Sequence, residues 1–502
     1  MKTKSIKRNL SKIVSLLAVV AMGAPAMASI PAAAYIRDNL DPNKTWAVDY
    51  RLNEFDITNT LGNSVKRKGM SRTDFNYTAP TPFDAKEREF LMDANGTSEL
   101  TFLKDSSHNN PLIEEQAQKG MPTMDPDSNA VTIRQLRGVD YNDALWEQLL
   151  DRLTFQEMKD LVNNGAFQTT AIESIDKNLT NDSDGPIGFV NFMPGKSESY
   201  KGNTTFACQI VISSTWNKDL AYQMGKIVGE NGLWGDVTGN GLPYSGWYAP
   251  AVNLHRSPFS GRNFEYYSED PILSGKLAVN VINGAATKGV YTDLKHFALN
   301  DQETNRAGVS TFCTEQALRE LYLKPFELAF KGSDNPAEVA TAKADNITEY
   351  VGTMGIMSSF NRIGARWTGG DYRLMTEILR NEWGFEGLVI CDYKTDNSFM
   401  HSKQMLYAGN DLILASVENL MWTNPEADNV EDVMILRQAA HNILFAVANS
   451  NSLNVKVIGY QTEWWITATY VVDVVVALGL VVWGICAIKG SKKEKTAKES
   501  AK

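Results

Sequence analysis

A chain of 502 residues with 43% hydrophobic and 10% aromatic side chains can fill a large core, which excludes disorder along its whole length and leaves room for two or three domains. The net charge of −10 is uneven: Met1 to Ala28 contributes five positive charges and Lys489 to Lys502 a net four, so the remainder carries about −19 and repels nucleic acid and anionic surfaces. Four cysteines without close pairs and five isolated histidines suggest neither a disulfide framework nor a metal site, and no organic cofactor is implied.

The chain opens with Lys2, Lys4, Lys7, Arg8 and Lys12, then an apolar run from Ile13 to Met22 and small residues at Ala26-Met27-Ala28. That order describes a signal peptide over 1–28, with an uncleaved anchor as the alternative. Residues 29–137 are polar and weakly periodic, with turn signals at Asn95-Gly96 and from Met121 to Pro126, and predict an irregular N-terminal region of unreadable role.

From Gly138 to about residue 450 the texture alternates. Thr154 and Glu157 form a capping box that starts a helix. Strands are expected near Gln209 to Ser213, Trp247 to Asn253, Val290 to Lys295, Gly355 to Asn361, Leu388 to Cys391 and Asp411 to Ala415. Helices are expected near Lys218 to Gly229, Pro271 to Ala286, Thr314 to Lys331, Asp371 to Trp383 and Val430 to Val447. Strands and helices alternating over about 310 residues predict an α/β fold with a parallel sheet, for which a closed (β/α)8 TIM-type barrel suits the length. No GxGxxG or Walker motif follows a strand, which disfavours a nucleotide fold.

Trp464 to Ile488 is apolar apart from Asp473 and several threonines, and is followed by Lys489, Lys492, Lys493 and Lys495. About 25 apolar residues span a bilayer with some tilt, so 464–488 is expected to be a transmembrane helix and 489–502 a basic cytoplasmic tail. The implied protein is held in the cell membrane by a single pass, with its body outside.

Polar residues gather at the ends of the expected strands. Asp392 ends Leu388 to Cys391, Asp184 sits in an Asp-Gly-Pro turn, Arg256, Arg262 and Glu265 follow the Trp247 strand, and Lys295-His296 ends another, with Glu303 just beyond. Each has a plain structural reading: Asp392 as a helix cap, Arg262 with Glu265 as an ion pair, Lys295 as a solvated strand end, His296 as a core histidine. Their repetition at successive strand ends favours a site. Carboxylates, arginine, lysine and histidine make charge-assisted bonds to sugar hydroxyls, and a strand-end aspartate beside them can serve as a glycosidase nucleophile if a second carboxylic acid protonates the leaving oxygen.

The segments DGP at Asp184, STWN at Ser214, APAVNLHRSPFSGRNFEYYSEDP from Ala249, LKHFALNDQETNR from Leu294, EQALRELYLKPFELAF from Glu315, MSSFNRIG from Met357, LRNEWGFEGLVICDY from Leu379 and AGNDL from Ala408 resemble, in order, those of glycoside hydrolase family 3. The resemblance covers roughly Gly138 to Asn449. It implies a (β/α)8-type barrel and retaining β-glycoside hydrolysis, most simply a β-glucosidase removing non-reducing-end sugars from oligosaccharides. By the same resemblance Asp392 matches the nucleophile, and Asp184, Arg262, Lys295 and His296 match residues that hold the sugar, with Arg256 as an addition.

Two departures bear on mechanism. The usual serine, aspartate and tryptophan around the nucleophile are Cys391-Asp392-Tyr393 here. Many members also carry an α/β sandwich domain with the acid/base glutamate, whereas here the barrel is expected to run almost directly into the anchor. The N-terminal region of about 110 residues is short for such a domain, and Lys295 to Arg306 lacks the His-Asp loop motif of the N-acetylglucosaminidase branch. The acid/base is therefore unassigned, with Glu303 as the residue to test and a partner chain as another source. The alternative to an enzyme is a surface carbohydrate-binding or sensing protein on the same barrel.

Overall fold

The computed structural model describes residues 110–189, 203–236, 241–304, 306–311, 313, 317–331, 353–363, 366–395, 397, 399–454 and 464–500. The expected leader, and the N-terminal region as far as residue 109, lie outside the described residues. The chain divides into two units, Met1–Val457 and Ile458–Lys502.

The first unit is built on a parallel sheet. Its strands are β1 (Asn181–Asp184), β2 (Tyr244–Tyr248), β3 (Tyr291–Phe297), β5 (Gly355–Ser358) and β8 (Leu388–Ile390), hydrogen-bonded in that order. Short strands β4 (Ser310–Thr311), β6 (Arg362–Ile363) and β7 (Arg366–Trp367) form a second sheet in the order β4-β6-β7. Nearly every residue of β2, β3, β5 and β8 is buried, the pattern of strands covered on both faces.

Helices cover the sheet: α1 (Ala144–Asp151), α2 (Phe155–Asn163), α3 (Lys218–Trp234), α4 (Pro271–Ala286), α5 (Lys324–Lys331), α6 (Arg373–Glu382, π-helical), α7 (Ser402–Ala408) and α8 (Val430–Ala448). Local chemistry sets their starts. Thr154 and Glu157 cap α2 reciprocally, while Asp270 accepts the backbone N–H groups of Ile272 and Leu273 and Pro271 occupies the first turn of α4. Glycines let α3 and α4 touch: a Cβ at Gly225 would stand 2.0 Å from the Val281 carbonyl oxygen, and one at Gly284 2.3 Å from that of Tyr222.

Three expectations shift. Gln209–Ser214 is a short helix and not a strand; Ile212 is buried while Ile210 and Val211 are exposed, and Ser213 Oγ donates to the Tyr267 carbonyl. A four-residue apolar run does not by itself distinguish the two states. The second strand begins at Tyr244, three residues early, and stops at Tyr248, ahead of Pro250, which has no N–H to give the ladder; pairing resumes as a bridge between Ala251 and Lys295. Asp411 to Ala415 is extended but bridges only at Leu412, to Ile390.

That segment nevertheless carries a chain of backbone bonds. Cys391 N donates to Leu412 O (3.1 Å), Ile413 N to Val162 O (2.9 Å), Gly165 N to Ile413 O (3.2 Å) and Asp182 N to Phe167 O (2.9 Å). The bonds run from β8 through 411–415 and 162–167 back to β1. Residues before Gly138 join the same core, with Ile113, Ile133 and Leu136 buried in the cluster that contains α8.

The second unit is α9 (Trp464–Ser500), a helix of 37 residues. Its stretch Ala468–Ile485 has a mean hydropathy of 2.1 with none of it buried, long and apolar enough to cross a membrane.

Candidate functional site

Side chains from the C-terminal ends of β1, β3 and β8 and from the loop after β2 converge. Asp184 is the last residue of β1, Lys295 and His296 lie at the end of β3, and Asp392 is the second residue after β8. Adjacent strand residues ordinarily face opposite sides. Here the β3–β5 register shifts between Leu294 and Phe297, and both Lys295 and His296 bond to groups of the cluster.

Lys295 Nζ donates to Asp184 Oδ1 at 2.7 Å, its side chain 3% exposed against 25% for the carboxylate. Asn253, just beyond β2, clamps His296: its Oδ1 accepts the His296 backbone N–H (2.8 Å) and lies 3.3 Å from Nδ1, and its Nδ2 donates to the His296 carbonyl (3.0 Å). Arg262 Nη2 lies 3.1 Å from His296 Nε2. Guanidinium has no acceptor, so Nε2 accepts and the ring proton sits on Nδ1, toward Asn253. Burial first, and then the charges of Arg262, Lys295 and Arg306, hold the imidazole well below its ordinary pKa, so His296 is neutral.

Arg262 is the hub. It forms an ion pair with buried Glu265 and reaches Glu303 Oε1 at 3.3 Å, and its acid partners outweigh desolvation and keep it charged. Glu303 also meets Arg306 Nη1 at 3.4 Å from each carboxylate oxygen.

Asp392 lies within this ring. Its Oδ1 accepts the Tyr393 backbone N–H at 2.7 Å, while Oδ2 is buried without a hydrogen-bond partner, 3.8 Å from His296 Nε2. Burial pushes its pKa above the ordinary carboxylate range, opposed by the positive charges of Arg262, Arg306 and Lys295 and by the Tyr393 N–H. The arrangement suits a nucleophile: one oxygen oriented by the backbone, the other unpaired, with cations near enough to stabilise charge without binding it.

The family is decided by the match of residues 168–442 to the glycosyl hydrolase family 3 N terminal domain, a span that contains Asp184 and Asp392. The chain belongs to glycosyl hydrolase family 3. The N-terminal domain of this family is a TIM-barrel-like α/β fold, in keeping with the parallel sheet. Among its relatives, beta-glucosidase A of Butyrivibrio fibrisolvens is 37% identical over 229 residues, 46% of this chain and 24% of that protein. A beta-glucosidase of Rhizobium radiobacter is 34% identical over 270 residues, 53% of this chain and 29% of that protein. The crystal structure of a beta-glucosidase from Paenibacillus barengoltzii aligns with a TM-score of 0.51 at 25% identity, covering 68% of this chain and 37% of that one. The chain thus spans about a quarter of the length of these curated relatives.

Of the residues singled out by sequence, Asp184, Arg262, Lys295, His296, Glu303 and Asp392 fall in one connected cluster. Arg256 does not join its bonds; it is exposed, with its guanidinium carbon 5.4 Å from the centre of the Tyr322 ring. The ion pair of Arg262 with Glu265, which had a purely structural reading, exists and is part of the cluster. Asn253 and Arg306 were not singled out. An asparagine in the first polar turn after a strand was a signal for the former, since its short amide can bond both backbone groups of a neighbouring strand. For Arg306 the signal was weak, because nothing in the sequence sets its distance to Arg262.

Proposed function

We propose that the chain is a retaining β-glycoside hydrolase, a β-glucosidase in the simplest case, acting on the non-reducing end of oligosaccharides. The observation that carries this is the unpartnered, buried Oδ2 of Asp392 beside neutral His296 and the Arg262 network. In this reading Asp184, Lys295, His296 and Arg262 bond the sugar hydroxyls. Asp392 Oδ2 attacks the anomeric carbon as the leaving oxygen departs with a proton from a general acid, and water later releases the glycosyl group from Asp392. The backbone bonds from β8 through 411–415 and 162–167 to β1 support a closed barrel that holds these strand ends in one ring. Helix α9, with its unburied apolar stretch and lysine-rich end, supports a membrane anchor with the first unit on the extracytoplasmic side.

Glu303 is proposed for the acid/base because it adjoins Arg262, but that role requires its carboxylate to leave Arg262 or Arg306 and offer an O–H to the leaving oxygen. Engagement of Glu303 by both arginines favours a second reading, a surface carbohydrate binder that keeps the pocket without turnover, or one completed by an acid from a partner chain.

One experiment separates them. General acid assistance is typically worth about 10²- to 10⁴-fold and matters least for a dinitrophenyl glycoside, whose phenolate leaves unaided. The purified protein should hydrolyse dinitrophenyl β-glucoside with retention, and Asp392→Asn should abolish this while sugar binding persists. A fluoroglycoside should label Asp392. Efficient cleavage of cellobiose, lost in Glu303→Gln, would assign the acid; azide rescue with slow cellobiose cleavage would mean that no acid is in place. Sugar binding with no reaction even of the activated glycoside would overturn the hydrolase and leave the binder.

A further inference from the structure

Alternate residues of β3 are Tyr291, Asp293 and Lys295, which lie on one face of the strand. The outer two reach over β2 to the matching face of β1. Tyr291 Oη lies 2.8 Å from both carboxylate oxygens of Asp182, and Lys295 Nζ donates to Asp184 Oδ1 at 2.7 Å. Gly246 of β2 leaves room for the first crossing, since a Cβ there would stand 2.6 Å from Asp182 Cγ and 2.6 Å from Tyr291 Cε2. Asp293 lies between these two rungs.

It has no rung of its own. Asp293 is fully buried, and neither of its carboxylate oxygens has a hydrogen-bond partner among the described residues. The residue opposite it on β5 is Gly355, where a Cβ would stand 2.2 Å from Asp293 Oδ1, so the acid fills space that a larger residue would take. The titratable groups facing it are Asp182 of β1, Tyr248 of β2, and Tyr291 and Lys295 of β3 itself; β5 has no titratable side chain. Burial, and after it the charge of Asp182, pushes the Asp293 pKa well above the ordinary carboxylate range, with Lys295 opposing. A carboxylate buried without a donor is costly, so the resident form is the neutral acid.

The neutral form matters for Lys295. An ammonium has three N–H donors, and Lys295 spends one of them on Asp184, which leaves two for sugar hydroxyls. The Asp293 backbone is about 7 Å away along the strand, within the compass of a lysine stem. Once ionised, Asp293 would be a second carboxylate competing for the ammonium, and more deeply buried than Asp184, so its attraction is less screened by water. We propose that Asp293 is a positioning residue for the sugar pocket: as the neutral acid it leaves the Lys295 ammonium with Asp184 and the sugar, and on losing its proton it draws that ammonium inward. This rests on the sugar-binding role proposed for Lys295.

The test is the pH profile of binding. Glucose is titrated into the full-length protein by calorimetry from neutral to alkaline pH, alongside dinitrophenyl glucoside hydrolysis. Affinity should fall about tenfold or more on the alkaline side, the worth of one charge-assisted bond. Asp293→Asn, a neutral side chain of the same shape, should keep the affinity of the native chain at neutral pH and abolish the alkaline fall; Asp293→Thr repeats the test with a smaller neutral group. Urea unfolding of the same samples checks the protonation state. An acid whose pKa is raised by folding loses its contribution to stability as pH rises from its unfolded toward its folded value, and Asp293→Asn should remove that slope. An alkaline fall that persists in both variants, or no fall in the native chain, would overturn the proposal. Native glucose affinity in Lys295→Met would overturn it together with the role of Lys295. The expected binding profiles without any hydrolysis would count against the hydrolase reading alone and leave this proposal standing.

Discussion

Lys295→Met is the most informative single change, because it removes the ammonium and keeps most of the stem. Breaking a fully buried ion pair by deleting one partner costs about 3–5 kcal/mol. Asp184 is a quarter exposed, so water can partly re-solvate the orphaned carboxylate and the expected loss of stability is smaller, about 1–3 kcal/mol. A sugar hydroxyl that bonds Lys295 loses a charge-assisted bond of about 1.5–3 kcal/mol, and at 1.4 kcal/mol per decade that is a loss of affinity of roughly 10- to 150-fold. Glucose affinity measured by calorimetry, with urea unfolding of the same samples, keeps the two effects apart. Asp184→Asn and the double variant complete a cycle; residues in direct contact should show a non-additive term. If Lys295→Met loses stability but keeps glucose affinity within twofold, the lysine is only an ion-pair partner of the fold and the sugar-binding role fails.

Asp392 must be ionised to attack, and its folded pKa is raised, so kcat/KM for dinitrophenyl glucoside should fall as pH drops through a value above the ordinary carboxylate range. Arg262→Met removes the largest opposing charge and should move that limb to still higher pH; a pH profile with an unmoved limb would exclude their coupling. Gly225→Ala drives a methyl into the Val281 carbonyl and should cost about 3 kcal/mol in urea unfolding, whereas a loss under about 0.5 kcal/mol would mean that α3 and α4 are not in close contact. Protease added to intact cells should remove the first unit and spare Lys489 to Lys502; protection of the first unit would reverse the proposed topology.

Much of the scaffold was written locally. The capping box at Thr154, the Asp270-Pro271 start of α4 and the β-branched run before Asp392 each specify an element from neighbouring residues, because caps and buried strands draw on short-range chemistry. The parallel sheet followed from alternation, and the order of polar strand ends pointed to the residues now found clustered. The failures were equally local in origin. Gln209 to Ser213 is helical, with Ile212 alone of its three branched apolar residues buried, and the strand expected over Trp247 to Asn253 stops at Tyr248, ahead of Pro250, which cannot donate.

Tertiary structure decided which polar residues meet. Sequence spacing left Arg262 with Glu265 as a plain ion pair, and only folding brings Glu303, His296 and the field of Asp392 to the same guanidinium. The neutral state of His296 and its Nδ1 proton come from burial and from an asparagine 43 residues away, neither of which local sequence encodes. Arg256 and Arg262 both follow the same strand, and only the family resemblance ranked Arg262 first; in the structure Arg256 lies over the Tyr322 ring and Arg262 turns into the cluster. A side chain's type is set by the sequence, but its dielectric surroundings and its partners are set by which strands lie side by side, and those decide whether a charge is screened by water or works on a neighbour.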